Sequence, residues 1–469
     1  MTRRIAWFLL AGLPLAAGES ALDRYVKAPD ANYKFEVVKT IPGPGYTAYV
    51  VDLTSQAWLT EKEVDRTLWK HWLTIVKPDQ VDHSTGFLYI TGGNNREKTP
   101  ERVDGFMASL ATGTNSVTAE LRMVPNQPLS FHGETKLRRE DSLIAYGWDQ
   151  FLKGGPELWL ARLPMTKSAV RAMDTITSIL KAQGGVKVDQ FVVSGGSKRG
   201  WTTWTTAAVD FRVVAIIPAV IDLLNIVPSF EHHWRVYGAW SPAIKDYLDN
   251  DIMKWSGTPR YREMMKVVEP YEYRDRLTLP KFLVNAAGDE FFLPDSSQFY
   301  WKDLKGEKYL RYVPNAKHSL AGSDARESMA AFYSMILNKK ERPRFDWKFD
   351  KNGSITVKVT DKPTEVKLWQ ATNPEKRDFR LDVIGKAYQS SVLREKKPGV
   401  YVAEVPAPVS GWTAFFVELT YPGGSKAPFK TTSGVRVVPD VYPFETPEFG
   451  GANGPGPTSN PEPVPAKKK

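Results

Sequence analysis

The chain has no cysteine among its 469 residues. That absence excludes disulfide staples, thiolate nucleophiles and every zinc site built on cysteine. Histidine is scarce too, with six in the whole chain, so a site that needs an imidazole has few positions to draw on. No His-Glu-x-x-His pattern occurs, and adjacent histidines such as His232-His233 do not readily face one ligand. No metal and no cofactor is expected. Beyond the N-terminus no apolar run is long enough to cross a bilayer. A basic stripe is missing as well. The net charge is +10, but apart from Arg3-Arg4 and the Lys467-Lys468-Lys469 tail the positive residues are dispersed. This suits solubility rather than nucleic-acid binding.

What is present is an ordinary globular mix, 42% hydrophobic and 25% charged. The 15 tryptophans point to a large core or a ring-lined cleft. The length suits one large domain with a smaller companion. Arg3 and Arg4, the apolar stretch Ile5 to Ala17, and small Ala16 and Gly18 before Glu19 read as a secretory signal at 1–18. The expectation is export, to the periplasm or beyond, with no integral membrane segment in the mature chain.

From Phe87 onward, apolar strands alternate with segments of helical spacing. Strands are expected at Phe87 to Thr91, Ser116 to Met123, Val188 to Ser194, Val213 to Pro218, Phe282 to Ala287 and Lys308 to Val313. Helices are expected at 101–111, Ser142 to Phe151, Thr166 to Ala182, Lys198 to Ala208, Ser297 to Leu304 and Leu320 to Leu337. That rhythm predicts an α/β domain over 19–342, a mainly parallel sheet flanked by helices. The aromatic excursion at 222–279 interrupts it and reads as a lid. From 343 to 442 the texture is all β, including Phe379 to Val383, as in a small sandwich. The Pro- and Gly-rich tail 443–469 is expected to be disordered.

The sharpest chemical feature is Ser194-Gly195-Gly196-Ser197-Lys198-Arg199-Gly200, lying between a strand and a helix. A serine on a tight strand-to-helix turn is the nucleophile elbow of α/β-hydrolases. Its strained backbone needs small neighbours. The usual spacing is Gly-x-Ser-x-Gly, whereas here the second glycine comes one residue later, at Gly200. A serine hydroxyl needs a base, and the base an orienting acid, in the order Ser, acid, His. His318 follows the last strand of the α/β domain and is the expected base. The turn Gly288 to Asp295 offers Asp289, Glu290 and Asp295. Asp289 is preferred because it sits at the strand end, with Asp295 its main rival. The Lys198 N–H and the loop Gly92-Gly93-Asn94-Asn95 are the expected oxyanion donors.

Several stretches resemble the PhoPQ-activated pathogenicity-related protein family, within the α/β-hydrolase superfamily. They are Val124-Pro-Asn-Gln-Pro-Leu129, Arg162-Leu-Pro-Met-Thr-Lys167, Arg171-Ala-Met-Asp174, Ser194 to Trp204, Ala207 to Asp210 with Val213 to Pro218, and Asp289 to Phe299. The resemblance implies the α/β-hydrolase fold and export. It implies Ser197 as nucleophile and His318 as base, with the acid in the turn from Asp289 to Asp295. The expectation is a serine hydrolase that cleaves a peptide, ester or amide bond in a small-molecule or peptide substrate. The alternative is a non-catalytic secreted binding or signalling protein on the same scaffold.

Overall fold

The computed structural model describes residues 18–183, 185–424 and 427–466, so the predicted signal segment, except Gly18, lies outside the described residues. Helix α1 (Ala21–Lys27) opens the chain, capped by Ser20, whose hydroxyl accepts the Asp23 N–H. Strands β1 (Lys34–Gly43), β2 (Tyr46–Ala57) and β3 (Leu68–Pro78) pair antiparallel. Next come β4 (Thr85–Ile90), α2 (Gly105–Thr114) and β5 (Thr118–Leu121). A short ribbon of β6 (Leu129–Ser130) and β7 (Leu137–Arg138) precedes α3 (Glu140–Leu152) and α4 (Arg162–Ala182). The Ser197 turn lies between β8 (Gln190–Gly196) and α5 (Lys198–Val209). Then β9 (Val213–Ala219) leads into the excursion expected as a lid, built on α6 (Ile226–Tyr237), α7 (Lys245–Asp249) and α8 (Pro259–Val268). Strands β10 (Lys281–Ala286) and β11 (Lys308–Val313) and helix α9 (Ala325–Leu337) complete the domain.

The large sheet runs in the order β1-β2-β3-β5-β4-β8-β9-β10-β11, and it is parallel from β5 to β11. This is the expected α/β-hydrolase fold. The parallel strands are mostly apolar because both faces are covered. Side chains alternate across a strand, so Val193 joins the core beneath α4 and α5 while Val192 joins the core beneath α2 and α9. A parallel sheet presents the ends of all its strands along one edge, where loops gather side chains from distant parts of the sequence. Ser197, Asp289 and His318 follow β8, β10 and β11 on that edge.

The C-terminal part forms two antiparallel sheets. One holds β12 (Phe345–Phe349), β13 (Ile355–Val359), β16 (Glu395–Lys397) and β17 (Val400–Ala403). The other holds β14 (Glu365–Asn373), β15 (Gln389–Val392), β18 (Trp412–Tyr421), β19 (Phe429–Thr432) and β20 (Arg436–Val438). Their inner faces share Ile355, Val357, Phe415, Val417 and Leu419. This unit covers the open edge of the large sheet. Thr432 Oγ1 accepts the Tyr312 N–H at 3.0 Å, and Thr431 Oγ1 donates to Leu310 O at 2.8 Å. Satisfying the polar groups of β11 in this way blunts a sheet edge.

Three segments differ from expectation or add to it. Phe379 to Val383 does not form a strand. Its second half becomes the short helix α10 (Leu381–Ile384), whose Leu381 N–H donates to Gly288 O at 3.0 Å, so docking against the large domain replaces strand pairing. Ser297 to Leu304 forms two 3-10 turns, Ser296–Phe299 and Trp301–Asp303, rather than one helix. Residues 443–466, where composition predicts disorder, lie along the lid. The Trp240 indole donates to Ser459 O at 2.7 Å and its ring stacks on Phe449. No helix among the described residues is long and apolar enough to cross a membrane.

Candidate active site

Ser197 sits at φ 57°, ψ −124°, a conformation L-residues avoid and the mark of a strained elbow. Its N–H donates to Ala219 O at 2.8 Å and its carbonyl accepts the Trp201 N–H at 2.9 Å. These bonds pin the serine between β9 and the first turn of α5. Sterics explain why the second glycine is late. A methyl on Gly200 would stand 2.9 Å from Ala219 O and 3.0 Å from Gly195 O, and one on Gly195 would stand 2.7 Å from Arg199 O. The strand end and the helix start therefore touch through Gly195 and Gly200. Gly196 has room for a methyl, with only Val220 Cγ2 nearby, at 3.7 Å.

The structure brings Asp289, not Asp295, to His318. His318 Nδ1 lies 2.9 Å from Asp289 Oδ2 and 3.1 Å from Oδ1. A carboxylate can only accept, so Nδ1 carries the proton and Nε2 is left as an acceptor in the neutral ring. Asp289 is buried and also accepts the Phe291 N–H at 2.8 Å. Burial raises its pKa above the ordinary carboxylate value, and the bond to His318 opposes that rise. Glu290 accepts the His318 backbone N–H at 3.1 Å, which fixes the loop rather than the ring. Asp295 is committed elsewhere. It lies 2.8 Å from His232 Nε2 and accepts from Arg377 Nη2 at 2.7 Å, while Tyr442 meets the other His232 nitrogen at 3.0 Å. This buried clasp joins lid, turn, sandwich and tail. Burial alone would raise the Asp295 pKa, but Arg377 and His232 hold it below the carboxylate range.

Ser197 and His318 share a neighbour rather than a hydrogen bond. Among the described residues no hydrogen bond joins them. The Phe291 ring, centred 4.4 Å from the imidazole, is a wall of the cavity that Ser197 lines. The remaining expected residues divide. Lys198 lines this cavity, and its N–H, at the first position of α5, donates to no group among the described residues. Gly92 and Gly93 are not among the cavity walls. Their loop packs beside Arg199, held by Gln127 Nε2 donating to Gly93 O at 3.1 Å and by Gly92 O accepting the Met123 N–H at 2.9 Å.

A charged cluster lies beneath the elbow. Arg199 binds both oxygens of Glu140, at 2.8 and 2.6 Å. Lys198 Nζ bridges Glu140 at 3.0 Å and Asp141 at 2.9 Å. Burial would raise the Glu140 pKa, but Arg199 and Lys198 outweigh it and bring it to about 2. Arg162 lies beside them, with Nη1 donating to Lys198 O at 2.9 Å. The cavity, about 40 Å³, is otherwise mostly apolar, with Trp148, Trp201, Ile221 and Phe292 from the core and turn, and Leu223, Ile226, Phe230 and Ile244 from the lid. The sequence marks Lys198 and Arg199 as charges at a helix start, either near the site or paired with acids, and gives no sign of Arg162. Among the described residues no group of three or more acidic or histidine side chains is arranged to hold a metal ion.

The sheet order, the strained serine at the end of β8 and the two later loops define an α/β-hydrolase scaffold. The chain belongs to the PhoPQ-activated pathogenicity-related protein family, which matches residues 22–380. It is 39% identical over 465 residues to autocrine proliferation repressor protein A of Dictyostelium discoideum, covering 93% of this chain and 94% of that one. Among solved structures it is similar to an acetyl xylan esterase from Paenibacillus sp. R4, with 14% identity, TM-score 0.47, and 69% of this chain and 96% of that one covered. It is also similar to a Pyrococcus horikoshii acylaminoacyl peptidase, with 13% identity, TM-score 0.40, and 69% and 52% covered.

Proposed function

We propose that this protein is an exported serine hydrolase that cleaves an ester, amide or peptide bond by acyl transfer. The observation that carries the proposal is the hydrogen-bonded His318–Asp289 pair on the same sheet edge as the strained Ser197. Ser197 Oγ attacks the substrate carbonyl while His318 Nε2 takes its proton. Asp289 holds the ring in the required tautomer and stabilises the imidazolium. The Lys198 N–H, at the first position of α5 beside the cavity, receives the oxyanion. His318 then protonates the leaving group, and water, activated by the same ring, releases the acyl group. Apo geometry at such sites is often loose and tightens on binding, so the open Ser197–His318 contact is compatible with this role. The export expectation rests on the N-terminal sequence.

The second reading is a non-catalytic secreted protein on this scaffold. The missing Ser197–His318 hydrogen bond and the small cavity favour it. A panel of 4-nitrophenyl esters and aminoacyl 4-nitroanilides separates the two. The hydrolase reading expects turnover that disappears in Ser197→Ala and in His318→Ala. Turnover that persists in both variants refutes the Ser197 mechanism, and a folded protein that turns over no substrate supports the second reading.

A further inference from the structure

We infer that the cavity beside Ser197 recognises a carboxylate on the substrate through Arg162. The inference deepens the hydrolase reading and rests on it for the cavity's use. Arg162 is 3% exposed and lines the cavity together with Ser197 and Lys198. One nitrogen is spent on the Lys198 carbonyl, and the guanidinium carbon lies 4.4 Å from the centre of the Trp201 ring. Its Nε has no hydrogen-bond partner among the described residues; Tyr247 hydrogen-bonds the guanidinium, and Asp141, which also lines the cavity, acts on it through space without an ion-pair contact.

The nearby acids are already engaged. Glu140 is held by Arg199 on both oxygens, with Lys198 against one of them. Asp141 takes Lys198 Nζ at 2.9 Å and the Tyr247 hydroxyl at 3.1 Å. Three cations thus face two carboxylates, and one positive charge is left over at the cavity. Arg162 shares Asp141 with Lys198 rather than holding a carboxylate of its own, and a buried charge so weakly compensated is costly. Burial pulls Arg162 down to about 10, so it stays protonated at neutral pH.

The surplus is one charge, which suits a monoanion. The planar donor fork of arginine matches the two oxygens of a carboxylate. The narrow volume and the aromatic walls suit a short acid rather than a bulky or polyanionic group. Arg162 thereby acts as a specificity residue. A purely structural role, bolting the elbow through the Lys198 carbonyl, gives the cavity no preference between an acid and its neutral amide.

The test compares propionate with propionamide, which are close in size and differ in charge. Binding is followed by calorimetry on the full mature chain, and in parallel by protection of Ser197 from a fluorophosphonate. Propionate is expected to bind and protect roughly ten- to a hundredfold better than propionamide, and Arg162→Met is expected to erase the difference. Arg162→Lys keeps the charge but not the fork and is expected to retain part of it. The wild-type comparison stands alone should the Met variant fail to fold. Equal binding of acid and amide, or no binding of propionate while fluorophosphonate still labels Ser197, overturns the inference and leaves the hydrolase reading intact. Propionate binding that depends on Arg162, in a protein the fluorophosphonate never labels, upholds the anion site and removes the hydrolase reading.

Discussion

Replacing Asp295 by asparagine should cost the protein stability and leave its chemistry alone, whereas Asp289→Asn should do the reverse. Both aspartates are buried in one short turn, but their partners differ. The Asp295 side chain is 4% exposed, and its partners His232 and Arg377 are 1% and 3% exposed, so solvent screens little of the interaction. Asparagine removes the negative charge and leaves the Arg377 cation buried. Removing one partner from such a pair costs about 3–5 kcal/mol. At ~1.4 kcal/mol per factor of ten, that is a loss of at least a hundredfold in the folding equilibrium.

The loss also has a pH signature. The Asp295 pKa in the folded chain lies below its ordinary 3.8. Its contribution is therefore complete above that value and fades as the pH falls below it. Urea unfolding should show a gap between wild type and Asp295→Asn that is constant at neutral pH and narrows in acid. Below its unfolding transition the variant should label with fluorophosphonate at the wild-type rate. Asp289→Asn should unfold near wild type but lose about 10⁴-fold in turnover, because the wrong His318 tautomer is held. The reasoning is refuted if Asp295→Asn stays stable and loses activity while Asp289→Asn stays active.

Three other outcomes follow from the same geometry. Gly200→Ala should destabilise by about 1–3 kcal/mol through overpacking against Ala219 O and Gly195 O, while Gly196→Ala should fall within about 0.5 kcal/mol of wild type; thermal unfolding checks both. Asp222, buried between the hydroxyls of Tyr300 and Tyr312, is raised by burial to about 7, so its contribution to stability falls as pH climbs from 3.8 to about 7. Flattening of that part of the stability–pH curve in Asp222→Asn, followed by urea titration, is the expected result. A chain ending at residue 342 uncovers the β11 edge and the Phe429 contact with Phe282 and Tyr309, and should aggregate, as read by light scattering.

Much of the scaffold is legible because it depends on local pattern. The strands around Leu88, Val192, Ile216 and Val284 are mostly apolar, as strands covered on both faces tend to be. The elbow announces itself through glycines beside a serine. What the pattern hides is set by partners distant in sequence. Asp289 and Asp295 are alike in the chain, and Arg377, 82 residues beyond Asp295, decides which of them forms a clasp. Arg162 reaches the elbow from 36 residues upstream of Lys198, at the start of a helix otherwise read as core. Phe379 to Val383 carries strand-like composition but is captured by Gly288 and the turn beside it. The Gly92-Gly93 loop was expected beside the serine, but it is held against Arg199 by Gln127.

The central claim is that the hydroxyl at 197 is a nucleophile driven by the imidazole at 318. Treatment of the folded, mature protein with a fluorophosphonate, read by intact mass and peptide mapping, tests it most directly. The account predicts a single adduct on Ser197, absent in Ser197→Ala and formed far more slowly in His318→Ala. A natively folded protein that takes up no adduct, or takes it up at another residue, contradicts it.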